Sequence, residues 1–507
     1  MAIRDSGLLG AGIMIFVALA VSTVTKFSIW FDEAFGSYLV RFDLFDLTRY
    51  TAFDVHPPLY YWLLKVWTIF FSNTELGIRS FSIFFGALTI VGAFLLTFKL
   101  FGRKAAYISL IFLVLSPMFI RYSQEARMYT LLTAIIVAAT YMLVYAQQAR
   151  RRWPWIVYGV LLALGMLTQY FAALAWLSHW VWWAYVAHRQ NGQFRKRFFT
   201  RQWVLAHIVA IAIFLPWLPW LIRQFADVQG NGFWIPPITS MTIPDFLTNF
   251  LLFADYTRVT SWLALITYVV VLGMVGAVIV LTRRLDGRMK EQYMLLVCMV
   301  CVPVILLVLL SMPPLRPAFV DRYLMSTIVF LPMLIGVTAA LTVPAARLRK
   351  GIVLIGCLGV MGLMITGVHT QMILGNYNTK TRQSNNVRQL VEKIRDRSPD
   401  RVSIIASTPW IFYEAVIYEQ ADSPIYFMDE STTYTFGSLR MIKENPDHKI
   451  MNMDAFARDN SSFWVIANIR GGDARPSRDG WQVVDTITIN DSVSNKPLFR
   501  AYHIIVE

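Results

Sequence analysis

The chain has 507 residues, 56% hydrophobic, 15% aromatic and only 15% charged, with 46 Lys and Arg against 31 Asp and Glu for a net charge of +15. Soluble domains carry about 25% charged residues, so this composition belongs to an integral membrane protein and argues against a disordered chain or a coiled coil. The basic residues lie between apolar runs rather than on one face, the three cysteines (Cys298, Cys301, Cys357) fall in apolar stretches, and the histidines show no ligand spacing, which argues against nucleic acid as a partner, a disulfide scaffold and a zinc enzyme.

A spanning helix needs about 20 apolar residues. Such runs fall near 7–27, 79–99, 104–121, 128–147, 153–170, 171–187, 203–222, 259–282, 292–311, 320–343 and 351–373, which predicts about eleven membrane helices. Ala18-Leu19-Ala20 has the look of a cleavage site, but the apolar run continues past it and the amino end carries only Arg4 against Asp5, so 7–27 reads as a retained helix. The segment 57–71 offers about 15 residues, roughly 22 Å of helix against a hydrocarbon core of about 30 Å. It is too short to span. Tyr60, Tyr61, Trp62, Trp67 and a snorkelling Lys65 suit a helix lying in the interface.

With 57–71 interfacial, the loops sort by charge. One side collects Arg4, Lys99, Arg103, Lys104, Arg150–Arg152, Arg189, Arg195–Arg197, Arg283, Arg284, Arg288, Arg347, Arg349 and Lys350, and by the positive-inside rule it is the cytoplasm. The other collects Asp32, Glu33, Asp54, Glu125, Asp227, Asp245, Asp255 and Asp321. The carboxylates able to do chemistry are therefore expected outside, in the plasma (inner) membrane, with the amino end cytoplasmic. The predicted membrane part is 1–375, with outer loops 28–78 and 223–258. After the polar linker Asn376–Asn386 the chain turns soluble in character, and strand-like runs at 402–407, 424–428, 463–468, 481–489 and 499–506 predict a small extracytoplasmic α/β domain over 376–507.

Asp32 and Glu33 stand among Trp30, Phe31 and Phe35 at the membrane boundary. A surface acidic pair is usually solvated charge. Here ionised groups are costly unless paired or hydrated in a cavity, which favours a functional role, and adjacent residues diverge, so one of the two faces a reacting centre. Such a carboxylate can take a proton from an acceptor hydroxyl. His56, ahead of Pro57 and Pro58, stands near a helix start that favours a phosphate, although the prolines alone fit a helix start with no function. Tyr122–Tyr129 carries Glu125, Arg127 and Tyr129 in a tight outer turn; the bland reading is a Glu–Arg pair, the functional one a phosphate on Arg127 and a hydroxyl or metal at Glu125. Arg322 and Tyr323 open the tenth span and add a cation on that face, where a snorkelling Arg is an equally good account. The loop 223–258 has the length of a segment that closes over a substrate.

The DE pair after the first span, HPPLYY at 56–61 and YSQEARMY at 122–129 resemble the GT-C-fold, lipid-linked-sugar glycosyltransferases of the protein O-mannosyltransferase and aminoarabinose transferase superfamily, particularly their rhizobial-lipopolysaccharide-glycosyltransferase-like branch, over roughly residues 7–345. The resemblance implies inverting transfer of a sugar from a polyprenyl-phosphate donor at the outer leaflet to a lipid, glycan or protein acceptor. It implies Asp32 as general base with Glu33 beside it, and His56 and Arg127 toward the donor phosphate. Tyr129, Arg322 and Tyr323 join as substrate-binding candidates. Glu125 is then a second acidic site residue toward the sugar or, with Asp32, toward a divalent cation (Mg or Mn). Where relatives carry Lys, this chain has His56, whose charge near neutral pH is set by its surroundings. The rival reading is a polytopic transporter or flippase of lipid-linked saccharides. Charged residues at span ends rather than mid-bilayer, and the lack of an inverted repeat, speak for the enzyme.

Overall fold

The computed structural model describes residues 3–149, 151–189, 194–231, 235–254, 259–342, 347–374, 386–398, 402–428, 439–444, 446–469, 475–491 and 495–507. Arg150, Gly232, Asp255, Arg258 and most of the 376–386 linker lie outside the described residues. The chain divides into two compact units: Met1–Thr23 with Ser80–Gly375, and Val24–Arg79 with Asn376–Glu507. The outer segment that sequence placed with the membrane part thus packs with the C-terminal residues.

Among the described residues the first unit is built of helices and their connections, and the protein is a multi-pass membrane protein. Among the described residues eight helical stretches are long and apolar enough to cross a bilayer: Asp5–Ser22, Glu75–Val114, Tyr129–Gln148, Arg201–Gly230, Ser261–Arg284, Gly287–Leu310, Asp321–Thr342 and Leu354–Ile373. The runs 153–170 and 171–187 form shorter helices, Trp153–Thr168 and Ala172–His188, of 16 and 17 residues. The 40-residue stretch Glu75–Val114 is not one rod, because Gly102 inside it has φ +80°. The rings of Phe94 and Tyr107 lie 5.5 Å apart, whereas thirteen residues of straight helix would separate them by about 20 Å. The chain therefore doubles back at Gly102, and the two predicted spans 79–99 and 104–121 are the arms of a hairpin.

Close helix contacts and buried polar pairs hold this unit together. A Cβ on Gly159 would run into the carbonyl oxygen of Ala206, so Trp153–Thr168 and Arg201–Phe214 approach backbone to side. Trp183 stacks on Trp203 with centroids 4.8 Å apart. Gln124 Nε2 donates to the Ala20 carbonyl at 2.7 Å and to Thr23 Oγ1 at 2.8 Å, while Gln371 Nε2 donates to Gln124 Oε1 at 2.5 Å. That ties the first helix, the 124 turn and the last helix into one polar knot, consistent with the need to pair every polar group away from water.

The second unit has two parts. Its N-terminal part is three helices, Phe31–Leu39, Leu44–Ala52 and Leu59–Phe71. The last is the predicted interfacial helix: it buries Tyr60, Tyr61 and Leu64, while Val66, Ile69, Phe70 and Phe71 are exposed. Lys65 departs from the expectation of snorkelling, because its Nζ donates to the Val40 carbonyl at 3.0 Å and so caps the end of Phe31–Leu39.

The C-terminal part is a six-stranded sheet of β1 (Ser403–Ala406), β2 (Ile425–Met428), β3 (Lys449–Ile450), β4 (Ser462–Asn468), β5 (Trp481–Asn490) and β6 (Pro497–Val506), in the order β3-β2-β1-β4-β6-β5. The strands β3, β2, β1 and β4 are parallel; β6 runs antiparallel to both β4 and β5. Ile404 pairs with Ile425 on one side and Trp464 on the other. Helices Pro409–Val416, Leu439–Glu444 and Met453–Asp459 follow β1, β2 and β3 respectively, as parallel crossovers require. Ile405, Phe463, Val465 and Ile504 form a fully covered core. The two-residue β3 escaped sequence analysis, being too short to show a period.

Candidate functional site

In the second unit the chain leaving the first helix turns at Trp30 into Phe31–Leu39, with the Trp30 carbonyl accepting from Glu33 N at 3.0 Å and Ala34 N at 2.9 Å. Asp32 and Glu33 both lie in the first turn and diverge as expected. Glu33 points inward and is fully buried; Asp32 is half-buried. Glu33 is held by a residue that sequence analysis passed over. Arg79 Nε donates to Glu33 Oε1 at 2.9 Å and Nη2 to Oε2 at 2.6 Å, with neither side chain exposed. Arg79 also donates to the carbonyls of Val24 (2.7 Å), Phe27 (2.9 Å) and Ser28 (3.2 Å). One guanidinium thus fixes both the segment leading into the helix and its third residue, and Asp32 is carried between them. Nothing in the sequence neighbourhood of Arg79 announces a partner 46 positions away.

His56 is half-buried, three positions ahead of Leu59–Phe71, with Pro58 as the N-cap residue. It therefore stands at a helix start, as its sequence context predicts.

The first unit contains Glu125, Arg127, Tyr129, Arg322 and Tyr323. Pro117–Ser123 is a short helix with Pro in its first turn, and the turn 121–129 that follows is buried along its whole length. Glu125 pairs with Arg121 one helical turn earlier, Nη1 to Oε2 2.7 Å, with the two side chains 2% and 1% exposed. Arg127 N donates to the Glu125 carbonyl at 2.7 Å. Ser82 Oγ also donates to the Glu125 carbonyl, at 2.6 Å. Tyr122 meets Tyr129 edge-on, centroids 5.2 Å apart. Burial and then the Asp321 carboxylate push the Tyr122 phenol well above its ordinary range, partly opposed by Arg121 and Arg322. The 121–129 turn and the Asp321–Tyr323 segment are thus neighbours.

Asp321 accepts from Asn249 Nδ2 at 3.0 Å, and Tyr323 stacks on Phe171 with centroids 4.0 Å apart. Asn249 belongs to the helix Thr242–Leu252, so the loop 223–258 is partly helical and buries Phe246 and Phe250. Arg121 and Asn249, which sequence analysis did not name, join these residues through Glu125 and Asp321.

Glu125 is paired with Arg121 through Oε2, and among the described residues no group of three or more His, Cys, Asp or Glu side chains is placed to hold a cation.

Comparison with known proteins bears on this arrangement. Residues 55–220 match the family model described as dolichyl-phosphate-mannose-protein mannosyltransferase. The chain is 28% identical over 189 residues to the undecaprenyl phosphate-alpha-4-amino-4-deoxy-L-arabinose arabinosyl transferase of Pseudomonas savastanoi pv. phaseolicola, a match covering 35% of this chain and 33% of the relative. The chain thus spans about a third of the length of that curated relative.

Among solved structures, ArnT from Cupriavidus metallidurans in the apo state matches with TM-score 0.61 at 11% identity, covering 97% of each chain. The same protein bound to undecaprenyl phosphate matches with TM-score 0.57 at 12% identity, over 99% of this chain and 98% of that one. The Archaeoglobus fulgidus oligosaccharyltransferase in complex with an inhibitory peptide and a dolichol-phosphate matches with TM-score 0.54 at 11% identity, over 93% and 70%. The fold is the one these proteins share.

Proposed function

Because this chain has the GT-C fold of the lipid-linked-sugar glycosyltransferases, we propose that it is a membrane glycosyltransferase that moves a sugar from a polyprenyl-phosphate donor to an acceptor hydroxyl. The acceptor is a lipid, a glycan or a protein. The transfer is inverting and takes place at the outer face of the plasma membrane, with the amino end cytoplasmic and the C-terminal domain extracytoplasmic.

Asp32 is the general base. Its carboxylate takes the proton of the acceptor hydroxyl, the acceptor oxygen bonds to the anomeric carbon, and the bond from that carbon to the phosphate oxygen breaks. The leaving group is polyprenyl phosphate, already stable as an anion. It needs charge neutralisation more than protonation, so one carboxylate suffices on the acceptor side. Arg127, Arg322 and His56 are the residues for the donor phosphate, where a guanidinium adds a bidentate fork. Glu125 and the Tyr129 and Tyr323 rings serve the sugar. Glu33, locked on Arg79, holds the first turn that carries Asp32.

The observation that carries this reading is the split between the adjacent carboxylates: one fully buried in a bidentate ion pair, the other half-buried beside it at the start of the same helix. The test is mass-spectrometric detection of polyprenyl phosphate released when the full chain in lipid meets a panel of undecaprenyl-phosphate sugars and an envelope-lipid extract. Wild-type release, with loss of about 100-fold or more in Asp32→Asn, is expected from the loss of a general base. Equal release by Asp32→Asn would remove Asp32 from the role. Movement of intact donor across the bilayer without release would replace the enzyme by a flippase.

A further inference from the structure

The C-terminal part of the second unit grips the Asp32 helix by a chain of alternating charges. Arg388, in the first turn of the helix Val387–Arg397, donates from Nη1 to Glu75 Oε2 at 2.6 Å and from Nη2 to the Thr25 carbonyl at 3.1 Å. The Tyr418 hydroxyl donates to Glu75 Oε1 and accepts from Ile29 N at 3.0 Å. Burial, and then the Glu75 carboxylate, hold the Tyr418 phenol well above its ordinary range, so it stays a donor at neutral pH. Glu75 in turn lies 4.0 Å from Arg79 Nη1, and Arg79 holds Glu33. The sequence of charges is Arg388, Glu75, Arg79, Glu33, and the next residue is Asp32.

The same helix is gripped through its aromatic residues. Phe31 packs on Trp410 with centroids 3.9 Å apart, and Tyr38 on Tyr413 at 5.3 Å and Phe412 at 5.7 Å. Arg41 Nη2 donates to the Val416 carbonyl at 3.1 Å. All these partners belong to the helix after β1 or its end.

We propose that Arg388 and Tyr418 are positioning residues of the transfer reaction, setting the orientation of Asp32 through Glu75, Arg79 and Glu33. The C-terminal domain is then a working part of the centre. This rests on the reading of Asp32 as base.

Arg388 is itself a third exposed, and without it Glu75 keeps Tyr418 and Arg79. Its removal should therefore leave the protein folded. The effect on catalysis is of another order, because a displacement of about 1 Å in a reacting group costs roughly 100-fold in rate. Without Arg388, Glu75 is left to Tyr418 and Arg79, and the guanidinium that fixes the first turn is pulled toward it.

The experiment uses the full chain in lipid nanodiscs, as wild type, Arg388→Met, Arg388→Lys, Tyr418→Phe and Asp32→Asn. Hydrogen exchange of the peptides covering 27–39 needs no substrate and decides the mechanical link. Exchange several-fold faster in Arg388→Met and Tyr418→Phe, with Arg388→Lys returned toward wild type, is expected; wild-type exchange in Arg388→Met overturns the proposal.

Turnover of the undecaprenyl-phosphate sugars decides the catalytic consequence. A kcat about tenfold lower in Arg388→Met with donor KM within twofold, restored by Arg388→Lys, is expected from a shifted base. Unchanged kcat while Asp32→Asn is inactive also overturns it. Turnover retained by Asp32→Asn sinks the base assignment instead, and the exchange result still stands or falls alone.

Discussion

Arg79 and Glu33 face each other through two parallel hydrogen bonds, 2.9 Å and 2.6 Å long, with no exposed surface on either side chain. Removing one member of such a pair leaves a bare buried charge and costs about 3–5 kcal/mol, whereas replacing both by apolar groups of similar volume is often close to neutral. Arg79→Met and Glu33→Met should each lower the thermal unfolding midpoint more than the Arg79→Met/Glu33→Met double variant does. A double variant as unstable as the sum of the singles would show that the two residues do not act as a pair.

Glu125 and Arg121 form the second buried pair, and here the two variants of Glu125 separate structure from chemistry. Glu125→Ala strands the Arg121 guanidinium and should cost about 3 kcal/mol or more. Glu125→Gln keeps an acceptor and should melt closer to wild type, yet lose most of its release of polyprenyl phosphate. Glu125→Gln with turnover within threefold of wild type would reduce Glu125 to an anchor for Arg121.

Gln371 is the donor to Gln124 Oε1 in the knot that joins the first and last helices. Gln371→Leu removes that donor in a buried setting, and an orphaned polar group costs about 1–3 kcal/mol. A lower unfolding midpoint with full-length expression is the expected outcome; an unchanged midpoint would mean that the amide of Gln124 finds another partner.

His503 on β6 stacks on Trp464 with centroids 4.7 Å apart, and its Nε2 lies 2.8 Å from Ser462 Oγ. Burial lowers its pKa below the usual histidine value, with Asp485 pulling the other way. The unfolded chain therefore binds a proton before the folded one does. Stability is full at neutral pH and falls as pH drops through the ordinary histidine range of about 6.5. The unfolding midpoint should drop between pH 7 and pH 5, and less steeply in His503→Phe. A slope identical in the variant would assign the loss to other groups.

The helical segments were legible because a bilayer demands long apolar runs, and five of the six strands because β-branched and aromatic residues cluster between polar turns. The short helix at 59–71 was legible from its length and its aromatic residues. What stayed hidden were pairings across sequence. Arg79 and Arg121 went unremarked, since nothing local records that burial will force each onto a carboxylate, Glu33 and Glu125. Lys65 was misjudged for the converse reason: its sequence surroundings suit a snorkelling side chain, and only the Phe31–Leu39 carbonyl end beside it offers something better. The Asp32–Glu33 divergence was legible, because it follows from helix geometry, but not which of the two would be locked away.

The second unit is assembled from stretches at opposite ends of the chain, Val24–Arg79 and Asn376–Glu507. Phe31 and its partner Trp410 are about 380 residues apart, and at about 5–20 residues per second a ribosome needs some 20–75 seconds to bridge them. During that interval the helix bearing Asp32 has been made, but Trp410, Phe412, Tyr413, Arg388 and Tyr418 have not. The aromatic face of Phe31 and Tyr38 is uncovered, and Glu75 waits for its guanidinium. Biosynthesis thus supplies its own safety catch: the nascent protein holds Asp32 in an unfinished mount until residues 388–418 emerge.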